Sequence, residues 1–234
     1  MSAAPSTIDL SLDGTATLSL RFVTALEIAS VVSSVVLTAW VLTPLQLNQR
    51  WLEALPGVCA LLLMLYSHRL HGETLAQLGF TTKHFARAVK LLLGPMLLVT
   101  ALLLGLGILT HSLHFGQRFW LSLLLLPWWS VTQQYILQGF IYRRLRLIVG
   151  AQKHTLTIFL AALLFALVHA PNVLLMLLTL IGGWVWTWVY ARAPNLFALG
   201  LSHALMSAIA MSSLPAWFLQ SMSIGYKYLI YQRF

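Results

Sequence analysis

The chain has 234 residues, of which 59% are hydrophobic and only 8% are charged. Ordinary soluble domains have about 45–50% apolar and about 25% charged residues, so this composition excludes a water-soluble globular protein. The apolar residues suffice for about seven segments of ~20 residues each, the length that a helix needs to cross a bilayer core. The composition therefore predicts a membrane protein with the lipid bilayer as its main partner.

The 14 Lys and Arg residues give a formal net charge of +9, which raises the question of nucleic-acid binding. These cations lie in short connections between apolar runs, and no basic stripe interleaved with exposed aromatic residues is present. We therefore predict no nucleic-acid partner. The single cysteine, Cys59, lies inside an apolar run, which excludes a disulfide framework and a cysteine-based metal cluster.

The apolar runs lack the alternation of strands, and inside lipid a helix satisfies all of its own backbone groups. The sequence thus predicts an all-α polytopic membrane protein with seven or eight transmembrane helices, the eighth run being the weakest. Residues 1–20 lack a basic start and a long apolar core, so we expect a cytoplasmic tail there, followed by a single transmembrane domain at 21–234. The predicted spans are Phe22–Leu45, Leu55–Ser67, Val89–Thr110, Trp120–Phe140, Thr155–Val168, Val173–Tyr190, Leu196–Leu214 and Trp217–Tyr231.

Positive charge is distributed unevenly among the connections between the runs. The connections before the third and fifth runs carry Arg69, Lys83, Arg87, Lys90, Arg143, Arg144, Arg146 and Lys153. The intervening connections hold only Arg50 and Arg118, so the positive-inside rule places the heavily charged connections and the N-terminus in the cytoplasm. The same alternation places Arg192 and Arg233 there if the eighth run spans. We expect a cell (plasma) membrane location, and a surface-lying helix within 71–90.

Polar groups inside a span cost several kcal/mol unless they face a bundle interior, so they indicate candidate functional sites. The fourth run contains three amides, of which Gln134 and Gln138 share a helix face while Gln133 lies about 100° away around the helix. Glu27, in the first run, is the only carboxylate within any predicted span.

Two histidines follow in later runs with spacings that place a partner on the same face. Phe165 precedes His169 by four residues, and His203 precedes Ser207 by four. A rise of 1.5 Å per residue puts Gln133 about 15 Å and His203 about 12 Å from the cytoplasmic ends of their helices, but His169 about 24 Å from its own. A lone intramembrane histidine is often a structural partner, whereas convergence of both histidines with the glutamines indicates a site.

These elements, in this order and spacing, resemble the CPBP family of intramembrane proteases, which includes CAAX prenyl endopeptidases and bacteriocin-processing or immunity proteins. The family pattern is E-E-x-x-x-R, then F-x-x-x-H, then H-x-x-x-N or D, and the resemblance covers about residues 117–213. It implies an endopeptidase whose substrate is an apolar or lipidated peptide. The catalytic candidates that it implies are Gln133, Gln134, Gln138, His169, His203 and Ser207.

The chain departs from the family pattern at four of these positions. Gln133 and Gln134 replace the two glutamates, Gln138 replaces the arginine, and Ser207 replaces the final Asn or Asp. The resemblance implies that the first glutamate activates the attacking water, while the histidines and the Asn position water and stabilise the oxyanion. A carboxamide has no basic lone pair near neutral pH, so Gln133 can orient a water but cannot deprotonate it.

Several functional interpretations remain open, and whether the protein is an enzyme is one of them. In the first, His169 or His203 is the base of an active endopeptidase; in the second, Glu27 supplies the missing carboxylate. In the third, the cavity binds an apolar or prenylated peptide without cutting it, as a non-catalytic binding or immunity protein. A transporter is a further alternative, because intramembrane His and Glu also serve in proton relays.

The same residues lead to three further expectations. A catalytic zinc normally has three His or carboxylate ligands, and only two good ligands are present, so we predict no metal and no cofactor. We expect the six catalytic candidates to line a polar cavity that opens toward the cytoplasmic half. Trp184, Trp186 and Trp188 are expected to act as interfacial anchors.

Overall fold

The computed structural model describes the backbone of residues 10–45 and 51–231, with the side chains of 19–45 and 51–230. Residues 1–9 of the expected tail, together with Arg50 and Arg233, lie outside this part of the chain. The described segments contain helices and no strand. They are α1 (Leu10–Leu37), which continues as a π-turn (Thr38–Leu42), α2 (Trp51–Leu70), α3 (Leu75–Leu78), α4 (Phe85–Leu109), α5 (Gln117–Gln134), a π-helix (Tyr135–Tyr142), α6 (Arg143–Val149), α7 (His154–Leu167), α8 (Val173–Tyr190), α9 (Leu196–Ser213), α10 (Ala216–Leu219), a 3-10 turn (Gln220–Met222) and α11 (Gly225–Tyr231).

Five helices in the described residues are long and apolar enough to cross a membrane. The prediction of an all-α polytopic membrane protein is thus confirmed, and the chain associates with a lipid bilayer. The shorter α7 spans 14 residues, or about 21 Å, against a hydrocarbon core of about 30 Å. The five helical spans are Ser19–Leu42, Trp51–Leu70, Phe85–Leu109, Val173–Tyr190 and Leu196–Ser213.

The fourth apolar run folds as one continuous helical path with a change of pitch in its middle. The α-helical pitch of α5 ends at Gln134, the next eight residues form a π-helix, and α6 resumes the α-helical pitch at Arg143. Gly139 lies within the π-helix, where an added Cβ would come within 2.9 Å of the Tyr135 ring. π-Helical segments are rare and frequently accompany functional sites, and this one begins directly after Gln133 and Gln134.

The weak eighth run, which the sequence left open as a possible span, does not form a spanning helix. The segment breaks into α10, the 3-10 turn and α11, and the longest of these has seven residues. Pro215 precedes α10, and positive φ angles of 44°, 54° and 56° at Gln220, Ser221 and Met222 are incompatible with a continuous helix. The chain therefore turns across the end of the bundle here.

The 71–90 connection contains no separate surface-lying helix beyond the single turn of α3, and its residues 85–90 are the start of α4. Thr74 and Gln77 form a capping box at the start of α3, and Gly79 ends α3 in the left-handed conformation with φ 98°. The Tyr190 hydroxyl donates to the Leu78 carbonyl at 2.8 Å, and the Leu196 amide donates to the Gly79 carbonyl at 2.9 Å. This connection is thereby held against the ends of α8 and α9.

The central helices pack closely at small residues. An added Cβ at Gly200 of α9 would lie 2.3 Å from Cγ2 of Val131 on α5, and one at Gly183 of α8 would lie 3.2 Å from Cα of Ala162 on α7. Small residues allow helix backbones to approach in membranes, where packing rather than hydrophobicity drives association. These contacts bring the fourth, fifth, sixth and seventh runs together around the candidate site.

A buried cluster of charged groups joins α1, α2 and α6 at the end of the bundle that carries the basic connections. This basic-end cluster comprises Glu27, Ser67, His68, Glu73, Arg143 and Arg144. Arg144 is fully buried rather than a loop cation, and its guanidinium donates to Glu27 at 3.1 Å, to Glu73 at 2.9 Å and to the Ser67 hydroxyl at 2.9 Å. Glu27 therefore pairs with an arginine, and the hypothesis that it supplies the missing catalytic carboxylate is wrong.

Glu73 lies at the centre of the basic-end cluster, just beyond the last residue of α2. Its carboxylate accepts hydrogen bonds from Arg143 Nε at 2.7 Å and from Arg144, and lies 2.6 Å from His68 Nδ1. Burial opposes ionisation, but the hydrogen bonds from His68, Arg144 and Arg143 outweigh it and hold the Glu73 pKa well below its usual range. Glu73 is accordingly ionised and fixes the two arginines.

Candidate functional site

Gln134 and Gln138 are fully buried and form a hydrogen-bonded chain between helices. Gln138 Nε2 donates to Gln134 Oε1 at 3.3 Å and to the Thr187 hydroxyl of α8 at 3.1 Å. Gln134 Nε2 in turn donates to His203 Nδ1 of α9 at 3.3 Å. The predicted shared face of the two glutamines is confirmed. Through Gln134, this chain of amides contacts the His203 ring.

A cavity of about 710 Å³ lies between α4, α5, α8 and α9. Of the six catalytic candidates, Gln133, His169, His203 and Ser207 line it, whereas Gln134 and Gln138 do not reach its surface. A second, smaller pocket of about 140 Å³ lies between α1, α5 and α7. Both spaces are lined by Gln133 and His169, so these two side chains stand where the large cavity and the small pocket meet.

Gln133 differs from its two neighbouring amides in combining an unpaired oxygen with a place on the cavity wall. The Oε1 atoms of Gln133 and Gln138 are both buried without a partner among the described residues, but of the two only Gln133 lines the cavity. An unpaired buried acceptor costs about 1–3 kcal/mol and indicates a place where a water or a ligand group binds. Gln133 is thus the glutamine whose side chain is available to a reacting molecule.

His169 and His203 come together against one aromatic ring. The Phe165 ring centroid lies 4.9 Å from that of His169 and 5.9 Å from that of His203. The different depths expected from helix rise therefore do not separate the two imidazoles, because α7 ends at Leu167 and His169 lies in the turn beyond it. His169 Nδ1 lies 2.6 Å from the Phe165 carbonyl oxygen.

Trp186 is a component of this site that the sequence did not indicate. Its ring lies 4.3 Å from the His203 ring at an interplanar angle of 31°, and its Nε1 donates to the Ser202 hydroxyl at 2.9 Å. Trp186 is buried, so the expectation that it is an interfacial anchor is wrong. Thr179, Gly183 and Trp186 are spaced four and three residues apart, so they share one face of α8, and all three are buried. This spacing is the sequence feature that could have predicted a buried position for Trp186.

The cavity lies toward the end of the bundle that is opposite the basic-end cluster. The Ser221–Lys227 segment contributes to its wall, and the Gly225 amide of that segment donates to the Ala170 carbonyl at 2.8 Å. An added Cβ at Gly225 would lie 2.6 Å from the Ala39 carbonyl at the far end of α1, twelve residues beyond Glu27. The expectation that the cavity opens toward the half with the basic connections is therefore wrong.

Asn172 holds the turn after His169 in place. Its Oδ1 accepts from the Leu175 amide at 3.1 Å, which caps α8, and its Nδ2 donates to the Leu219 carbonyl at 2.9 Å. This turn contains a cis Ala170–Pro171 peptide bond. Asn172 thus connects the turn that carries His169 to the segment that closes the far end of the cavity.

The described residues that line the cavity include no carboxylate. Within the same part of the chain, no three His, Cys, Asp or Glu side chains come together in a way that could hold a metal ion. The chemistry available at the site is therefore that of two imidazoles, an amide oxygen, serine and threonine hydroxyls and the Lys227 ammonium.

Comparison with known proteins places the site within a recognisable family segment. Residues 115–209 match the family model described as type II CAAX prenyl endopeptidase Rce1-like. No curated protein and no solved structure matches the chain. The matched residues include all six catalytic candidates, and the match supports a CAAX-protease-like fold for this segment, consistent with the CPBP family of intramembrane proteases.

Proposed function

We propose that this protein is an intramembrane endopeptidase-like protein that cleaves an apolar or lipidated peptide, with His169 as its general base. The observation that carries the proposal is that hydrogen bonds at the two Nδ1 atoms favour different tautomers for the two histidines. One ring then presents a basic nitrogen and the other a hydrogen-bond donor. Hydrolysis of a peptide bond needs one group of each kind.

His169 has the hydrogen bonding of a base. A backbone carbonyl can only accept, so the 2.6 Å contact requires that His169 Nδ1 carries the hydrogen and donates to the Phe165 oxygen. The neutral ring then has its lone pair on Nε2, which is available to take a proton. This is the same orienting device that fixes the tautomer of catalytic and metal-binding imidazoles elsewhere.

His203 has the complementary hydrogen bonding. Gln134 uses its oxygen to accept from Gln138, so its amide nitrogen faces His203 Nδ1 and donates to it. The neutral ring must then carry its hydrogen on Nε2. That N–H, together with the Ser207 hydroxyl one helical turn later on α9, can stabilise the oxyanion of a tetrahedral intermediate.

Gln133 completes the proposed reaction centre by orienting water. A water that donates one hydrogen to Gln133 Oε1 can donate its other hydrogen to His169 Nε2. His169 removes this proton as the water oxygen bonds to the peptide carbonyl carbon, and the imidazolium then returns the proton to the leaving amine as the C–N bond breaks. Because an amide replaces the family's carboxylate, Gln133 orients the water without taking its proton, and we expect a slower reaction than at a site with a carboxylate at this position.

A specific observation also supports a second function, a binding or immunity protein without catalysis. No carboxylate faces the cavity among the described residues, and the unpaired Gln133 Oε1 could hold an amide N–H of a bound peptide as well as a water. In that case the fold retains the cavity and uses its polar groups for recognition alone.

Peptide cleavage by the purified full chain distinguishes the two functions. Prenylated and unprenylated peptides are incubated with wild type, with His169→Ala and with the matched control His154→Ala, an exposed histidine at the start of α7. The endopeptidase proposal predicts cleavage that His169→Ala reduces by about 10²- to 10⁴-fold and that His154→Ala leaves unchanged. Peptide binding without cleavage by any of the three proteins supports the binding function, and peptide flux into sealed vesicles without cleavage supports a transporter.

For the cellular setting, we propose the cell (plasma) membrane with the N-terminus and the basic-end cluster facing the cytoplasm. The uneven distribution of Lys and Arg supports this orientation. We also propose that the transmembrane domain is a single unit extending from residue 21, preceded by a cytoplasmic tail. In this orientation the Ser221–Lys227 segment lies on the side of the membrane away from the cytoplasm.

A further inference from the structure

The large cavity is lined mostly by apolar side chains and has an opening toward the bilayer. Leu102 of α4 and Ile181 of α8 both line the cavity, yet their side chains are 64% and 56% exposed. Both residues belong to helices that are long and apolar enough to span the membrane, so their exposed surfaces face hydrocarbon. A hydrocarbon chain can therefore enter sideways between α4 and α8 without crossing water.

Lys227 of α11 is the only Lys, Arg, Asp or Glu among the described residues that line the cavity. It is exposed, and the Gly225 amide and the Asn172 side chain fix the segment that carries it at the cavity rim. No ion pair joins it to a described carboxylate, and the ion pairs of Glu27 and Glu73 are with residues of the basic-end cluster. The cavity thus combines a hydrocarbon-accessible interior with a cation at its edge that has no ion-pair partner in the described part of the chain.

We propose that this cavity binds an anionic phospholipid, with one acyl chain between α4 and α8 and the phosphate paired with Lys227. The cavity volume of about 710 Å³ is within the ~300–1,000 Å³ range of ligand pockets. The charge of the rim is complementary to a phosphate, and a lysine stem can lie along an acyl chain while its ammonium reaches the headgroup region. The inference concerns binding alone and stands whether or not the site hydrolyses peptides.

Native mass spectrometry of the purified full chain tests the proposal. The protein, in a zwitterionic detergent, is titrated with dioleoylphosphatidylglycerol or with dioleoylphosphatidylcholine, and the fraction carrying one tightly bound lipid is measured. We expect wild type to prefer phosphatidylglycerol and Lys227→Gln to bind it about fivefold more weakly, since one cation near a membrane surface contributes on the order of 1 kcal/mol. Phosphatidylcholine binding should be the same for both proteins.

Two further variants separate a cavity ligand from general attraction to the protein surface. Arg118→Gln removes an exposed cation from the same end of the bundle that does not line the cavity, and should leave phosphatidylglycerol binding unchanged. Leu106→Trp places a larger side chain in the cavity wall and should reduce tight binding of both lipids, whereas Leu109→Trp, outside the cavity, should not. Equal losses in Lys227→Gln and Arg118→Gln, no lipid preference in wild type, or full binding by Leu106→Trp would each overturn the proposal.

Discussion

The basic-end cluster and the candidate site are both buried and polar, but they are built from different groups. In the cluster, the carboxylates of Glu27 and Glu73 face the fully buried guanidinium of Arg144. In the site, the glutamines, histidines and Ser207 hold no opposed pair of charges, and the cavity-lining amide oxygen of Gln133, like the oxygen of Gln138 behind the wall, has no partner among the described residues. One region thus satisfies its charges within the protein, and the other leaves a neutral acceptor open.

The difference follows from the free energy of burying each kind of group. An unpaired buried charge costs several kcal/mol, so charged side chains inside the bundle occur where partners saturate them. An unpaired amide oxygen costs only about 1–3 kcal/mol, which a folded protein can tolerate at a place that binds a molecule. The basic-end cluster accordingly holds α1, α2 and α6 together, while the site can exchange partners.

The largest expected effect on stability is that of Arg144→Met, which tests whether the basic-end cluster is structural. The substitution leaves two carboxylates facing an apolar side chain, so we expect a loss of about 3–5 kcal/mol in the free energy of unfolding. Unfolding of the purified protein in detergent, followed by circular dichroism, measures this loss. Arg146→Met, at an exposed position on the same helix, is the control and should cost less than about 0.5 kcal/mol. Equal stability of the two variants would refute the structural role.

Gly200→Ala tests the corresponding packing near the site. The new methyl group would lie 2.3 Å from Val131, so α5 and α9 must separate, and we expect a loss of about 1–3 kcal/mol. Gly105→Ala on α4 is the matched control, because an added Cβ there meets no atom within 4 Å. The same unfolding experiment compares the two, and a Gly200→Ala protein as stable as Gly105→Ala would contradict the close packing of α5 and α9.

The smallest expected effect is a pH dependence that arises from Glu73. Its pKa is lowered by folding, so its ionised form contributes stability above the unfolded value of about 4.3, and this contribution declines as the pH falls below about 5 toward the folded pKa. The unfolding midpoint of wild type should therefore drop from pH 6 to pH 3 more steeply than that of Glu73→Gln. Glu53→Gln, which changes an acid outside the cluster, should keep the steep dependence. Parallel curves for wild type and Glu73→Gln would contradict the ion-pair assignment.

Much of the fold follows from patterns that are local in sequence. The apolar runs predict helices because backbone groups in lipid must bond within their own segment, and the spacing of Gln134 and Gln138 predicts their contact because it matches a helical turn. The F-x-x-x-H and H-x-x-x-S elements likewise predict which side chains share a face. The family resemblance adds the order of these elements, and the matched segment at 115–209 contains them all.

The features that the sequence did not predict depend on distant contacts. Glu27 and Arg144 are 117 residues apart, and no local pattern indicates that they pair. Trp186 was expected at the membrane interface because tryptophans are common there, but its ring packs on His203 across the α8–α9 interface. The eighth run is apolar enough to suggest a span, yet the backbone at Gln220–Met222 turns it across the cavity.

The cleavage rate of Gln133→Glu tests most directly the claim that Gln133 faces the reaction centre and only lacks a basic oxygen. A carboxylate at this position can remove a proton from water, so we predict that cleavage of a prenylated peptide rises over wild type, by at most the ~10²- to 10⁴-fold that a positioned general base contributes. Gln134→Glu, which introduces the same group behind the cavity wall, should produce no such rise. A folded Gln133→Glu protein that cleaves no faster than wild type, or a rise in Gln134→Glu instead, would contradict this account.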